Sequence, residues 1–273
     1  MVHKIIKSIK SVIFKDPLFL FEEEKAFVNQ PFYFKGTNGK GVILVHGWSS
    51  TAYEVRRLGE FLNEKGYTVY GPMLRGHGTQ PEDLENVKWE EWLSDLEGTY
   101  EKLEKEVSQI YVGGTSIGSC LALLLAQKKK NIAGLVLMAA PFKIRFEKLL
   151  VLFAKLTVNI KPFNQKVYPP TFGASTTITR LISYQKYSVR SALETFELVE
   201  EARKNLEQIT QPCLLIQSGS DHIVTKKSLE EIYNRISSGI KRKKYVKKAY
   251  HTFISDIKNE YVFEDILSFL NEN

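Results

Sequence analysis

The sequence predicts an α/β protein with a mainly parallel central sheet flanked by helices. Three observations carry this. Short runs rich in β-branched and aromatic residues alternate with amphipathic helical patterns. Most of those runs are apolar throughout, as strands covered on both faces should be. The 273 residues, 43% hydrophobic and 25% charged, are enough to bury one sizeable core.

Taken in chain order, residues 1 to about 30 read as an N-terminal extension of a single domain spanning 1–273. Its segment VHKIIKSIKSVIF puts Ile5, Ile6, Ile9, Val12 and Ile13 on one helical face, interrupted by Lys4, Lys7 and Lys10. It lacks the continuous apolar stretch of a secretory signal, and no later stretch is apolar for long enough to span a bilayer. The expected compartment is cytoplasmic. Strands are expected at Phe32–Phe34, Val42–Val45, Thr68–Tyr70, Ile110–Val112, Leu135–Met138, Leu214–Gln217 and Lys244–Val246. Helices are expected at Val55–Lys65, Trp89–Glu106, Ser119–Lys128, Lys226–Ile236 and Tyr261–Leu270. The rhythm breaks between about 142 and 206, where helix-like patterns are interrupted by Pro162, Pro169 and Pro170. An insertion of that length reads as a helical cap.

The net charge of +7 is concentrated in the N-terminal segment, Lys128–Lys130 and the Lys241–Lys248 stretch. No zinc-finger spacing, helix-turn-helix signature or aromatic RNA-binding motif accompanies these lysines, so they read as solvated faces and nucleic acid is not an expected partner. Cys120 and Cys213 sit in apolar runs without metal-ligand or redox spacing and read as buried thiols.

The chemistry begins where Ile110–Val112 runs into Gly114-Thr115-Ser116-Ile117-Gly118 and then into SCLALLLAQ. A G-x-S-x-G pattern arises by composition about one time in ten in a chain of this length. Its place between a strand and a helix makes it specific. The glycines permit a tight turn that strains the serine backbone and exposes Ser116 at the carboxyl end of the sheet, at a helix N-terminus. The bland alternative is a glycine-rich turn with an incidental serine.

An alcohol attacks well only when a neighbouring base takes its proton, and that base needs an orienting carboxylate. Of the five histidines, His3 lies in the extension, His46 and His77 lie in turns upstream of the serine, and His222 directly follows an acidic residue. His251 alone follows the last strand and precedes the final helix. Asp221, in the turn Ser218-Gly219-Ser220-Asp221 after the preceding strand, is the expected acid; its bland alternative is an Asx-turn or a helix cap. Asp256 reads as a cap of the terminal helix. A developing oxyanion needs two preorganised N–H donors, expected from Ile117 and from Trp48 in the loop after Val42–Val45, with the Trp48 indole free to wall a pocket. No metal or organic cofactor is implied.

In this order, VILVHGW, YGPMLRGHGTQPEDL, GGTSIGS, LLIQSGSDHIV and YHTFISDIKNEYVFEDILSFL resemble the bacterial carboxylesterase and monoacylglycerol lipase group of the α/β-hydrolase fold. The resemblance covers residues 32 to 271 except the cap. It implies a catalytic triad of Ser116, Asp221 and His251, an oxyanion hole from the amides of Trp48 and Ile117, and a structural R-G-H-G turn at Arg75–Gly78. Two positions depart from the family pattern: Thr225 stands where proline is frequent after the aspartate, and Ala249-Tyr250 precede His251.

The expected reaction is serine-dependent hydrolysis of a small-molecule or lipid ester, of short to medium acyl length or a monoacylglycerol, through an acyl-enzyme. Two readings compete: an amide or peptide hydrolase of the same fold, and a catalytically idle lipid-binding member. The basic N-terminal segment is expected to offer peripheral membrane contact. Phe146, Leu149, Leu150, Leu152, Phe153 and Leu156 are expected either to roof an acyl pocket above Ser116 or to complete the core.

Overall fold

The computed structural model describes residues 26–166 and 181–273. The strands form one seven-stranded sheet in the order β1-β3-β2-β4-β5-β8-β9. They are β1 Phe32–Phe34, β2 Lys40–Val45, β3 Thr68–Gly71, β4 Gln109–Thr115, β5 Ile132–Met138, β8 Cys213–Ser218 and β9 Lys241–Val246. Only β1 runs antiparallel to its neighbour; all other pairs are parallel. The expected strands all lie within these elements.

The central runs ILV in β2, YV in β4 and LVLM in β5 are buried because helices cover both faces. One face carries α2 (Trp89–Leu103), α3 (Ile117–Lys128), α5 (Val189–Arg203) and α6 (Lys227–Arg235), whose Trp92, Leu121, Leu198 and Ile232 join one core cluster. The other face carries α1 (Tyr53–Glu64) and α7 (Tyr261–Glu272), with Val55, Leu58, Phe263 and Phe269. Cys120 and Cys213 are buried free thiols, and burial pushes both up to about 12.

Strand β9 reads KRKKYV, and it lies at the sheet edge. Lys243 bonds Glu230 at 2.7 Å, Arg242 pairs with Glu272 and Lys244 with Asp265. Charged side chains on an exposed edge discourage pairing with another chain. That accounts for the basic run at this edge.

Between β5 and β8 lie α4 (Glu147–Thr157), α5 and an antiparallel pair, β6 (Phe163–Gln165) with β7 (Lys186–Ser188). The insertion carries helices, as expected, and a short strand pair besides: Lys186–Ser188 pairs back across Phe163–Gln165, a non-local contact that no helical period reveals. Helix α5 also packs on α3 and shares its core. Among the described residues no helix is long and apolar enough to cross a membrane. The amphipathic segment Ile5–Ile13 lies outside the described residues.

Topology positions the site. The chain lays β3 on one side of β2 and β4 on the other, so the carboxyl ends of β2 and β4 flank a point where connections diverge. The parallel register pairs Val45 with Gly114. The residues that follow, His46-Gly47-Trp48 and Thr115-Ser116, are consequently neighbours.

Candidate active site

Ser116 follows directly on β4 and caps α3 with φ 53° and ψ −120°, a strained conformation for a residue with a Cβ. Two glycines make the turn feasible. A Cβ on Gly114 would stand 2.2 Å from the Gly118 backbone, and one on Gly118 would stand 2.4 Å from the Val45 carbonyl oxygen. The Ser116 N–H donates to the Met138 carbonyl at 2.9 Å. Below it, the buried Ser119 hydroxyl lies 2.6 Å from the Gly114 oxygen and accepts from the Met138 N–H at 3.0 Å. Ser119 thus ties the turn to β5, a role that the spacing of the motif does not reveal.

Asp221 and His251 come together from the ends of β8 and β9. His251 Nδ1 lies 2.7 Å from Asp221 Oδ2. A carboxylate accepts, so Nδ1 carries the proton and Nε2 is left as the basic nitrogen. The same Oδ2 accepts from Gln217 Nε2 at 2.9 Å, while Oδ1 accepts from the N–H groups of Ile223 and Val224 at 2.8 and 2.9 Å. The Asx-turn alternative and the His partnership are both present, one oxygen for each. Burial alone would lower the His251 pKa, but the Asp221 charge and hydrogen bond, with Glu54 beyond, raise it above the usual histidine value. Burial likewise opposes ionisation of Asp221, and His251 with the two backbone donors holds its carboxyl below the usual range.

The remaining histidines serve other ends. His46 is fully buried between Gly47 and Leu74: its Nε2 accepts from the Leu74 N–H at 3.2 Å, and burial lowers its pKa to about 4. His77 packs edge-on against His46 and Trp92 inside the R-G-H-G turn. His222 reaches the same cavity as His251 and lies beside Tyr250, and burial lowers its pKa. Asp256 accepts from the Lys258 N–H at 3.1 Å. It caps the short 3-10 turn Ile257–Asn259 just ahead of α7, a small correction to the expected cap of the terminal helix.

The loop after β2 is held from both ends. Gly47 N–H donates to Glu54 Oε2 at 2.8 Å, and Glu54 is only 2% exposed. Burial raises the Glu54 pKa. Sequence reasoning missed Glu54; the available signal was an acid sharing a helix face with Val55, Leu58 and Leu62, all buried. Trp48 lines the cavity, as expected, but its indole is also tethered: its Nε1–H donates to Ser191 Oγ at 2.7 Å, and its ring stands edge-on to Tyr187. The N–H of Ile117, first in α3, has no partner within its own helix.

Gly47, Trp48, Glu54, Ser116, Ile117 and His251 all line one cavity of about 1080 Å³. Helix α4 supplies Leu150, Phe153 and Ala154 to it. Leu149, expected alongside Phe153, instead lines a second, more open cavity with Phe146 and Arg203. The cause is helical phase: Leu150, Phe153, Ala154 and Thr157 share a face that Leu149 does not.

A mainly parallel sheet with a strained serine between strand and helix, and an acid and a histidine at the ends of later strands, is the arrangement of an α/β-hydrolase. The chain belongs to the hydrolase family described as serine aminopeptidase, S33, whose model matches residues 37–258. It is 29% identical over 253 residues to a carboxylesterase of Bacillus subtilis (strain 168), covering 91% of this chain and 98% of the relative. It is 30% identical over 243 residues to a thermostable monoacylglycerol lipase of Bacillus sp. (strain H-257), covering 88% and 93%. Among solved structures, a metagenome-derived lipolytic enzyme superimposes with a TM-score of 0.82 at 24% identity, covering 90% of this chain and 98% of that one. The monoacylglycerol lipase of Paleococcus ferrophilus superimposes with a TM-score of 0.74 at 20% identity, covering 88% and 97%.

Proposed function

We propose that this protein hydrolyses carboxylic esters, monoacylglycerols or esters of short to medium acyl chains, by a serine mechanism. Ser116 Oγ attacks the ester carbonyl while His251 Nε2 takes its proton, and Asp221 holds Nδ1–H and stabilises the imidazolium. The carbonyl oxygen becomes an oxyanion that accepts from the N–H groups of Trp48 and Ile117. Collapse passes the proton from His251 to the leaving alcohol and leaves Ser116 acylated. Water, deprotonated by His251, then adds to the acyl carbon, and the acid departs as Oγ regains its proton.

The observation that carries this reading is the strained Ser116 sharing one cavity with a His251 whose Nδ1 is bonded to a buried carboxylate. The relatives named carboxylesterase and monoacylglycerol lipase supply the substrate class. We read residues about 142–206 as the cap of this site. The experiment is turnover of p-nitrophenyl esters together with fluorophosphonate labelling. Labelling lost in Ser116→Ala supports the assignment; labelling that persists in that variant, or a parent that turns over no ester, rejects it.

One observation favours a second reading. The family is described as serine aminopeptidase, and the same triad serves amides. Aminoacyl anilides turned over faster than matched esters would select it. A cytoplasmic location and membrane contact by the basic N-terminal segment belong to the first reading; cell fractionation with and without residues 1–25 tests both.

A further inference from the structure

The cavity that Ser116 and His251 share has two unlike walls. One is apolar, with Leu150 and Phe153 from α4 and Phe196 and Val199 from α5. The other, around β6 and β7, presents Asn164, Gln165, Lys161, Lys166 and Lys186. Lys186 pairs with Glu82 and lies over Phe163, and Lys161 is exposed at the rim. Lys166 differs from both. Its ammonium is partly buried, donates to Ser49 Oγ and stands 6.0 Å from the centroid of the Trp48 ring.

Among the described residues no carboxylate lies within ion-pair distance of Lys166. Glu54 acts on Lys166 only from beyond contact distance, and its Oε2 is engaged by the Gly47 N–H. Burial lowers the Lys166 pKa to about 8, with Glu54 opposing. A hydroxyl such as that of Ser49 requires a donor, not a charge; glutamine would serve. A desolvated ammonium without a contacting anion is costly, and such groups concentrate where the charge is used.

We propose that Lys166 forms an anion subsite in the substrate cavity, and that the preferred substrate is an acyl ester whose alcohol carries a phosphate or carboxylate group. The inference rests on the ester-hydrolase reading and narrows its substrate class. An ammonium has three donors, so one on Ser49 leaves two for anionic oxygens. Ser49 directly follows Trp48, whose N–H is assigned to the oxyanion. The anionic group therefore sits a few bonds from the ester, on a short alcohol, while the acyl chain takes the apolar wall.

The test compares kcat/KM for 1-octanoylglycerol, its 3-phosphate and an octanoyl ester of glycerate, in the parent, Lys166→Gln and Lys166→Met. The ratio of anionic to neutral ester cancels any general loss of activity in a variant. The parent is expected to favour at least one anionic ester by about tenfold, the equivalent of one well-placed charge-assisted contact. Both variants are expected to bring that ratio close to unity. Glutamine keeps a donor for Ser49, so a Lys166 that merely tethers the loop would leave the ratio unchanged in Lys166→Gln, and that result overturns the proposal. A parent with no preference for either anionic ester overturns it as well. Which of phosphate and carboxylate gains more identifies the group. Turnover of p-nitrophenyl octanoate by the parent reports separately on the ester-hydrolase reading; without it, that reading fails and this one with it.

Discussion

Helices α3 and α4 are both strongly apolar, yet α3 is buried continuously from Ile117 to Ala126 and α4 buries no residue. Helix α3 springs from the centre of the sheet, where β2, β4 and β5 lie beneath it and α5 and α2 close over it. Helix α4 hangs on the insertion, facing the cavity with one side and leaving Leu149 66%, Leu152 56% and Leu156 67% exposed. Apolar content says that a helix gains by contact; its point of attachment decides whether contact is made. The difference matches the work each does. In the proposed mechanism the buried helix holds a strained serine and a backbone donor in place, and the exposed one borders the space where an acyl chain would lie.

The largest expected effect tests the rigid side. Ser116→Ala should lower ester turnover by a factor on the order of 10⁴ or more while the thermal midpoint stays close to the parent's, if Ser116, Asp221 and His251 act as a triad. Near-normal turnover in that variant would sink the assignment. A direct test of the contrast comes next. Leu121 in α3 is fully buried, so Leu121→Ala should cost about 2–5 kcal/mol in denaturant unfolding. Leu152→Ala in exposed α4 should stay within about 0.5 kcal/mol of the parent. Equal losses would mean that α4 is as well packed as α3.

Acid should act on the site and not on its roof. In the proposed mechanism His251 must be neutral to accept the serine proton, and its pKa is raised by Asp221 and Glu54. The acid limb of kcat/KM should therefore lie above the ordinary histidine value of about 6.5, with activity falling about tenfold per pH unit below the limb. A limb at or below that value contradicts the coupling to Asp221. The smallest effect concerns α4 alone. Phe153 lines the cavity and Leu149 does not, so Phe153→Ala should shift the optimum acyl length and Leu149→Ala should not. A buried methylene contributes about 0.8 kcal/mol, roughly fourfold in kcat/KM, so the shift is measurable across a chain-length series. Parallel curves for parent and Phe153→Ala would place the acyl chain elsewhere.

The parallel strands and the helix after Ser116 were legible in the sequence because each depends on a local pattern: a continuous apolar run, a 3.6-residue period, or two glycines around a serine. Asp221 and His251 were legible through chain order, each following a strand at the same sheet edge. Glu54 and Lys166 were not, because their significance depends on burial beside a loop distant in sequence. The β6–β7 pair escaped notice for the same reason: both strands are three residues long and their pairing is non-local.

By itself the sequence determined the sheet, the turn at Ser116 and the order of the residues that follow, since these rest on backbone sterics and on which segments must leave water. Only the tertiary structure decided which apolar residues reach the cavity, that the Trp48 indole is bonded to Ser191, and that a buried acid and a lysine flank the loop between them. Those outcomes depend on distances between segments far apart in the chain, set by how helices pack on the sheet and not by any local preference.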